Sequence, residues 1–222
     1  MSASQLWLAQ PPLVRLQQAG LIAVLSGNFS LTEITEIGDA LLAAPVLALE
    51  IDLANRHAYE AITDLRQRAG PHLLIGVSGV QTIEQSALAR NAGAQFTAAA
   101  TFDPVLAADS WQNNYLHIPT ISALTEAQRA AVSGCYLVKV DVSPERLAGF
   151  NRLLPDLAFI ATGDITMDNI TPYAKAGAVG VAAGRTLIAE PYTSMATIIS
   201  TARALQRAWA QAQFYRAGEM DV

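Results

Sequence analysis

Short apolar runs rich in branched residues alternate with amphipathic runs from one end of this chain to the other, and that rhythm narrows the possible folds more than any single motif. Strand-like runs fall at 21–25, 46–52, 72–77, 95–100, 116–121, 135–141, 157–162 and 178–183, and a helical pattern follows each one. Ser30 and Glu33 supply an S-x-x-E helix start. The strings NAGA at 91–94 and KAGA at 175–178 place a glycine where a helix stops before the next strand, so one unit is repeated. Strands apolar along their whole length imply burial on both faces. Such a series of strand–helix units in 222 residues predicts a closed (β/α)8 TIM barrel, an α/β fold, rather than an open sheet. No G-x-G-x-x-G follows the first run, which removes the main dinucleotide-binding signature.

The division expected is an N-terminal helical cap at 1–20, the barrel at 21–213 with a long closing helix at 192–213, and a C-terminal tail at 214–222. With 52% hydrophobic residues the chain can bury a full core, while only 15% are charged, below the roughly 25% usual for soluble domains. Part of the outer surface is therefore expected to be covered by identical subunits. The formal net charge of −5 and the absence of a Lys/Arg cluster argue against nucleic acid or membrane as partners and leave small molecules. No run approaches the ~18 apolar residues that span a bilayer, and no basic leader precedes an apolar stretch, so a cytoplasmic location is expected. The lone Cys135 reads as a small buried hydrophobe. The three histidines, His57, His72 and His117, lack metal-ligand spacing, and neither a metal nor a cofactor is expected.

Only two lysines occur, Lys139 and Lys175, and Lys139 lies inside the strand-like run CYLVKVDV. Burial favours the neutral amine, a nucleophile able to form a Schiff base with a carbonyl, a step closed to arginine. In a barrel of this kind the chemistry gathers at the carboxyl ends of the strands. Those ends carry Glu50 and Asp52 on the second, Lys139 and Asp141 on the sixth, Thr162, Gly163 and Asp164 on the seventh, and Gly184 and Arg185 on the eighth. Alternation puts Glu50 with Asp52, and Lys139 with Asp141, on the inward face. The two aspartates would favour the ammonium form of Lys139 while burial opposes it, so both modulate the amine.

The order and spacing of LIAVL, LALEI around Glu50, IGVSGV, AGAQF followed by FDP, YLVKV around Lys139, ATGDI around Thr162 and AGAVGVAAG resemble the class I pyruvate aldolases of the 2-keto-3-deoxy-6-phosphogluconate (KDPG) and 4-hydroxy-2-oxoglutarate (KHG) family. The resemblance implies a carbon–carbon lyase in which Lys139 forms the Schiff base with pyruvate or another 2-keto acid and Glu50 moves protons. It also implies a homotrimer. The chain departs from the family pattern where a carboxylate-binding arginine falls on Ala54, with Arg56 the nearest substitute, and where a threonine falls on Gly79. A proline-glycine turn reads PTISALTEA, and the phosphate-cradling turns read TGD and AAGR. Asp164 would oppose a phosphate, and Arg185 would either offset it or pair with it. A decarboxylase acting on an oxaloacetate-type acid, or a barrel that has lost its activity, are the alternative readings of the same residues.

Overall fold

The computed structural model describes residues 11–189 and 193–220. Helix α1 (Pro12–Ala19) opens with prolines at the first turn, where the missing N–H is no loss, and leads directly into β1 (Gly20–Leu25). The alternating units then follow as α2 (Leu31–Ala43), β2 (Ala48–Asp52), α3 (Ala58–Ala69), β3 (Leu74–Ser78), α4 (Ile83–Ala92), β4 (Phe96–Ala99), α5 (Pro104–Gln112) and β5 (Leu116–Ile121). The second half continues with α6 (Leu124–Val132), β6 (Leu137–Val140), α7 (Pro144–Leu153), β7 (Ala158–Ala161), α8 (Ile170–Lys175), β8 (Gly180–Ala183) and α9 (Met195–Met220). The strands pair in sequence order, all parallel, and β8 returns to β1 to close the barrel.

Local chemistry explains the punctuation. Ser30 accepts from the Glu33 N–H while the Glu33 carboxylate accepts from the Ser30 N–H, the capping box expected from S-x-x-E. Gly93 and Gly177, the glycines of the two AGA joins, have φ of 100° and 97°, a left-handed conformation that ends a helix and that residues with a Cβ rarely adopt. Several strands are shorter than their apolar runs. The runs at 46–52 and 135–141 form strands at Ala48–Asp52 and Leu137–Val140 because their outer residues lie beyond the paired register. Helix α9 begins at Met195 and continues to Met220, past the end at 213 read from the sequence. Residues 1–10 of the expected N-terminal cap lie outside the described residues.

Alternation along the strands sorts side chains into two cores. Ile22, Ala48, Leu74, Phe96, Ala98, Ile118, Leu137, Ile160 and Ala182 fill the barrel interior, joined by Leu16 from α1. Leu25, Leu49, Ile51, Val77, Val138, Val140, Phe159 and Val181 face outward and pack under the helices. The interior is thus a packed apolar floor, and the polar inward positions stand above it at the carboxyl ends. Among the described residues no helix is long and apolar enough to cross a membrane.

Candidate active site

Glu50 sits two residues above Ala48 on β2 and Lys139 two residues above Leu137 on β6, so both point inward from the level where the apolar floor ends. The Lys139 Nζ donates to Glu50 Oε2. Lys139 is 5% exposed and Glu50 0%, so the two form a buried ion pair. Each offsets the desolvation of the other, because an unpaired charge at such a place would be strongly unfavourable. The second carboxylate oxygen, Glu50 Oε1, is buried and has no hydrogen-bond partner among the described residues.

Two hydroxyls flank the amine. Thr120 on β5 is the register partner of Lys139, and Thr162 lies two residues beyond Ile160, the register partner of Lys139 on β7. Sequence reading placed Thr162 at the mouth and missed Thr120. The signal was available, because Thr120 continues the inward alternation of Leu116 and Ile118.

A cavity of about 370 Å³ opens at the carboxyl end, between β7, β8 and β1, lined by Val24, Thr162, Gly163, Ala182 and Gly184, with Asp164 and Arg185 at its rim. It borders the ion pair through Val24, which pairs with Glu50 in the β1–β2 register, and through Thr162. Lys139 and Glu50 lie beside this cavity and do not line it.

The remaining candidate residues divide. Asp164 and Arg185 bond to one another, Oδ1 to Nη2 at 2.8 Å, and both side chains are more than four-fifths exposed. Asp141 is exposed, and its carboxylate lies against Gly163, where a Cβ would stand 2.6 Å from it. Burial pushes the neighbouring Tyr173 phenol up, with the charges of Asp141 and Glu145 adding to the effect. Neither Asp141 nor Asp52 makes an ion pair with Lys139, whose carboxylate partner within 4.0 Å is Glu50. Asp52 instead accepts the Ala54 N–H at 2.8 Å and the Ser78 hydroxyl at 3.4 Å, ordering the turn after β2. Arg56 is exposed, and its Nε donates to His57 Nε2 at 3.0 Å.

Asn55, unremarked in the sequence, is buried and donates to the carbonyls of Gly27 and Phe29 at 3.1 and 2.9 Å. It thereby fastens the loop after β2 to the loop after β1. These two loops frame the Glu50 side of the mouth.

Comparison with known proteins agrees with this architecture. The family model described as KDPG and KHG aldolase matches residues 14–199. A curated relative, the 2-dehydro-3-deoxy-phosphogluconate aldolase of Treponema pallidum, is 32% identical over 141 residues, which cover 60% of this chain and 66% of the relative, just under two thirds of its length. Among solved structures, the native KDPGal structure has a TM-score of 0.81 at 24% identity, over 86% of this chain and 95% of that one. The KDPG aldolase from Legionella pneumophila, with pyruvate captured at low pH as a covalent carbinolamine intermediate, has a TM-score of 0.73 at 19% identity, over 89% and 96%. At these identities the two structures speak for the fold. The matched stretch runs from α1 through the whole barrel into α9, and on that ground the chain belongs to the KDPG and KHG aldolase family.

Proposed function

We propose that this chain is a Schiff-base lyase that cleaves or forms a 2-keto acid, with pyruvate as the nucleophilic half. The observation that carries the reading is the Lys139 amine inside the barrel, bonded to a carboxylate whose other oxygen has no hydrogen-bond partner among the described residues. The Legionella relative, which holds pyruvate as a carbinolamine, supports the same chemistry here.

Glu50 takes a proton from Lys139 Nζ, and the neutral amine attacks C2 of the keto acid. The carboxyl returns that proton to the carbonyl oxygen, removes a second from nitrogen, and releases it with the hydroxyl as water. A protonated imine and a carboxylate remain. For cleavage, Glu50 removes the proton of the C4 hydroxyl, the C3–C4 electrons flow into the imine, and an aldehyde departs. The enamine then takes a proton at C3 from Glu50, and water hydrolyses the imine to free pyruvate and Lys139. One carboxylate serves as acid and base in turn because it touches the nitrogen and has a second oxygen without a hydrogen-bond partner among the described residues. Its burial strengthens these charge movements relative to water.

The chain is further inferred to act as a homo-oligomer, a trimer on the family resemblance. Trp111, Val132 and Tyr136 support association, since these large apolar side chains are all exposed around a groove between α5 and α6.

Incubation with pyruvate and sodium borohydride, read by intact mass, tests the lyase reading. Hydride reduces the imine to a secondary amine, so the protein gains the mass of pyruvic acid less one oxygen atom, on the peptide containing Lys139. An unmodified protein, or an adduct that persists in Lys139→Ala, would refute it.

A further inference from the structure

Thr120 has no counterpart among the groups assigned above, yet it stands beside the amine. Parallel neighbours lie about 4.8 Å apart, and Thr120 is paired in register with Lys139. Its side chain faces the interior, because Ile118 belongs to the interior core and Ile121 to the outer one. It is half-buried. Comparable half-buried or buried threonines use their hydroxyls: Thr35 bonds the Leu31 carbonyl, Thr97 the His117 ring, and Thr186 the Ile165 carbonyl. The Thr120 hydroxyl has no protein partner among the described residues, and neither does that of Thr162 on the opposite flank.

A 2-keto acid joined to Nζ through C2 carries its carboxylate one bond away from the new imine. That carboxylate accepts hydrogen bonds only and needs donors in a site largely closed to water. The arginines read as candidates stand at exposed positions, Arg56 with its Nε on His57 and Arg185 paired with Asp164, and position 54 offers only the methyl of Ala54. The Thr120 hydroxyl on β5 and the Thr162 hydroxyl just beyond β7 are the donors that the strand register places beside the amine. We propose that Thr120 donates its hydroxyl to the carboxylate of the bound keto acid, and that it thereby selects a 2-keto acid over a ketone of the same size without that group. The assignment rests on Lys139 being the nucleophile.

The test measures the half-saturating concentration for borohydride trapping at Lys139 in the wild type, Thr120→Val and Thr120→Ser, with pyruvate and with hydroxyacetone, which replaces the carboxylate by a hydroxymethyl group. Loss of one charge-assisted hydrogen bond predicts about a tenfold rise for pyruvate in Thr120→Val. Hydroxyacetone should be unmoved by the same change, and Thr120→Ser should restore pyruvate to within about twofold. Equal half-saturation for pyruvate in Thr120→Val and wild type overturns the assignment. So does an equal rise for both ligands, which would make Thr120 a shaper of the pocket. No adduct in the wild type with either ligand refutes instead the Schiff-base reading on which the assignment rests.

Discussion

Lys139 reaches Glu50 across the full width of the barrel, from β6 to β2, which stand diametrically opposite in the closed ring. The pair therefore spans the mouth instead of decorating one wall. The nitrogen and the carboxylate lie together directly above a floor of Ile118, Leu137 and Ile160, beside the cavity at the carboxyl end.

Removing either partner should separate chemistry from stability. Lys139→Met leaves a carboxylate uncompensated in the interior, and stability should fall by about 3–5 kcal/mol, with partial recovery when Glu50→Gln is added. Glu50→Gln alone keeps a group that can accept from the amine but cannot shuttle protons. Its trapping rate with pyruvate should fall by about 10²–10⁴-fold while the fold is retained. Urea titration and rapid-quench trapping read the two effects. A Glu50→Gln rate close to wild type would assign the proton transfers to another group.

The rim charges bear on the far end of the substrate. Asp164 at the cavity rim is held at 2.8 Å by Arg185, and a second carboxylate, Asp141, lies against Gly163 of the cavity lining. Among the described residues Arg185 is the cation at this rim, and it is already bonded to Asp164. The wild type should process an unphosphorylated 2-keto-3-deoxy acid at a kcat/KM no lower than its phosphorylated counterpart. Asp164→Gly should move the ratio toward the phosphorylated acid by about tenfold at low ionic strength, and by less at high salt because these groups are exposed. A wild-type preference for the phosphorylated acid contradicts the assignment of the rim.

The barrel was legible because both of its periodicities are strong: period two separates Glu50 and Lys139 from Ile51 and Val140, and the AGA joins mark where units end. Alternation put Lys139 and Glu50 on the inward face, and closure of the barrel is what brings them into contact. Asp52 and Asp141 show the limit of that reasoning, since alternation gives a direction and not a partner. At the strand end the backbone leaves the ladder, and Asp52 turns to the Ala54 N–H while Asp141 meets Gly163. Thr120 and Asn55 escaped notice because their significance lies in who stands beside them across strands and loops, a relation set by register and not by neighbours in sequence.

Helix α1 closes the amino end of the barrel through Leu16, which is fully buried among the interior residues. Leu16→Ala should lower stability by about 2–5 kcal/mol through lost burial and an unfilled space. Trapping of pyruvate at the opposite end should be unchanged at temperatures where the variant stays folded. Thermal denaturation and trapping measured on the same sample check both halves. A wild-type melting curve would show that α1 does not seal the barrel in solution.

His117 sits on the outward face of β5, almost wholly buried, with Nδ1 2.9 Å from the Thr97 hydroxyl and no partner for Nε2 among the described residues. Burial pushes the imidazole down to about 4, with the charges of Asp103 and Asp109 opposing the shift. The unfolded chain takes up a proton near the ordinary value of about 6.5, whereas the folded protein resists it down to about 4. The unfolded state therefore binds more protons between those values. Stability is whole above about pH 6.5 and declines as pH falls toward about 4, by up to about 3 kcal/mol from this residue. Carboxylates such as Glu33 and Glu126, held low by hydrogen bonds from Ser30 and Ser122, also weaken the fold in acid. The comparison with His117→Leu isolates the imidazole. Urea titrations at about pH 7.5 and about pH 4.5 should show the variant losing about 2 kcal/mol less than the wild type over that interval, since it has no ring to protonate. Equal losses in the two proteins would mean that His117 takes up its proton within the fold, and that its surroundings are wetter than the packing between β4, β5 and α5 implies.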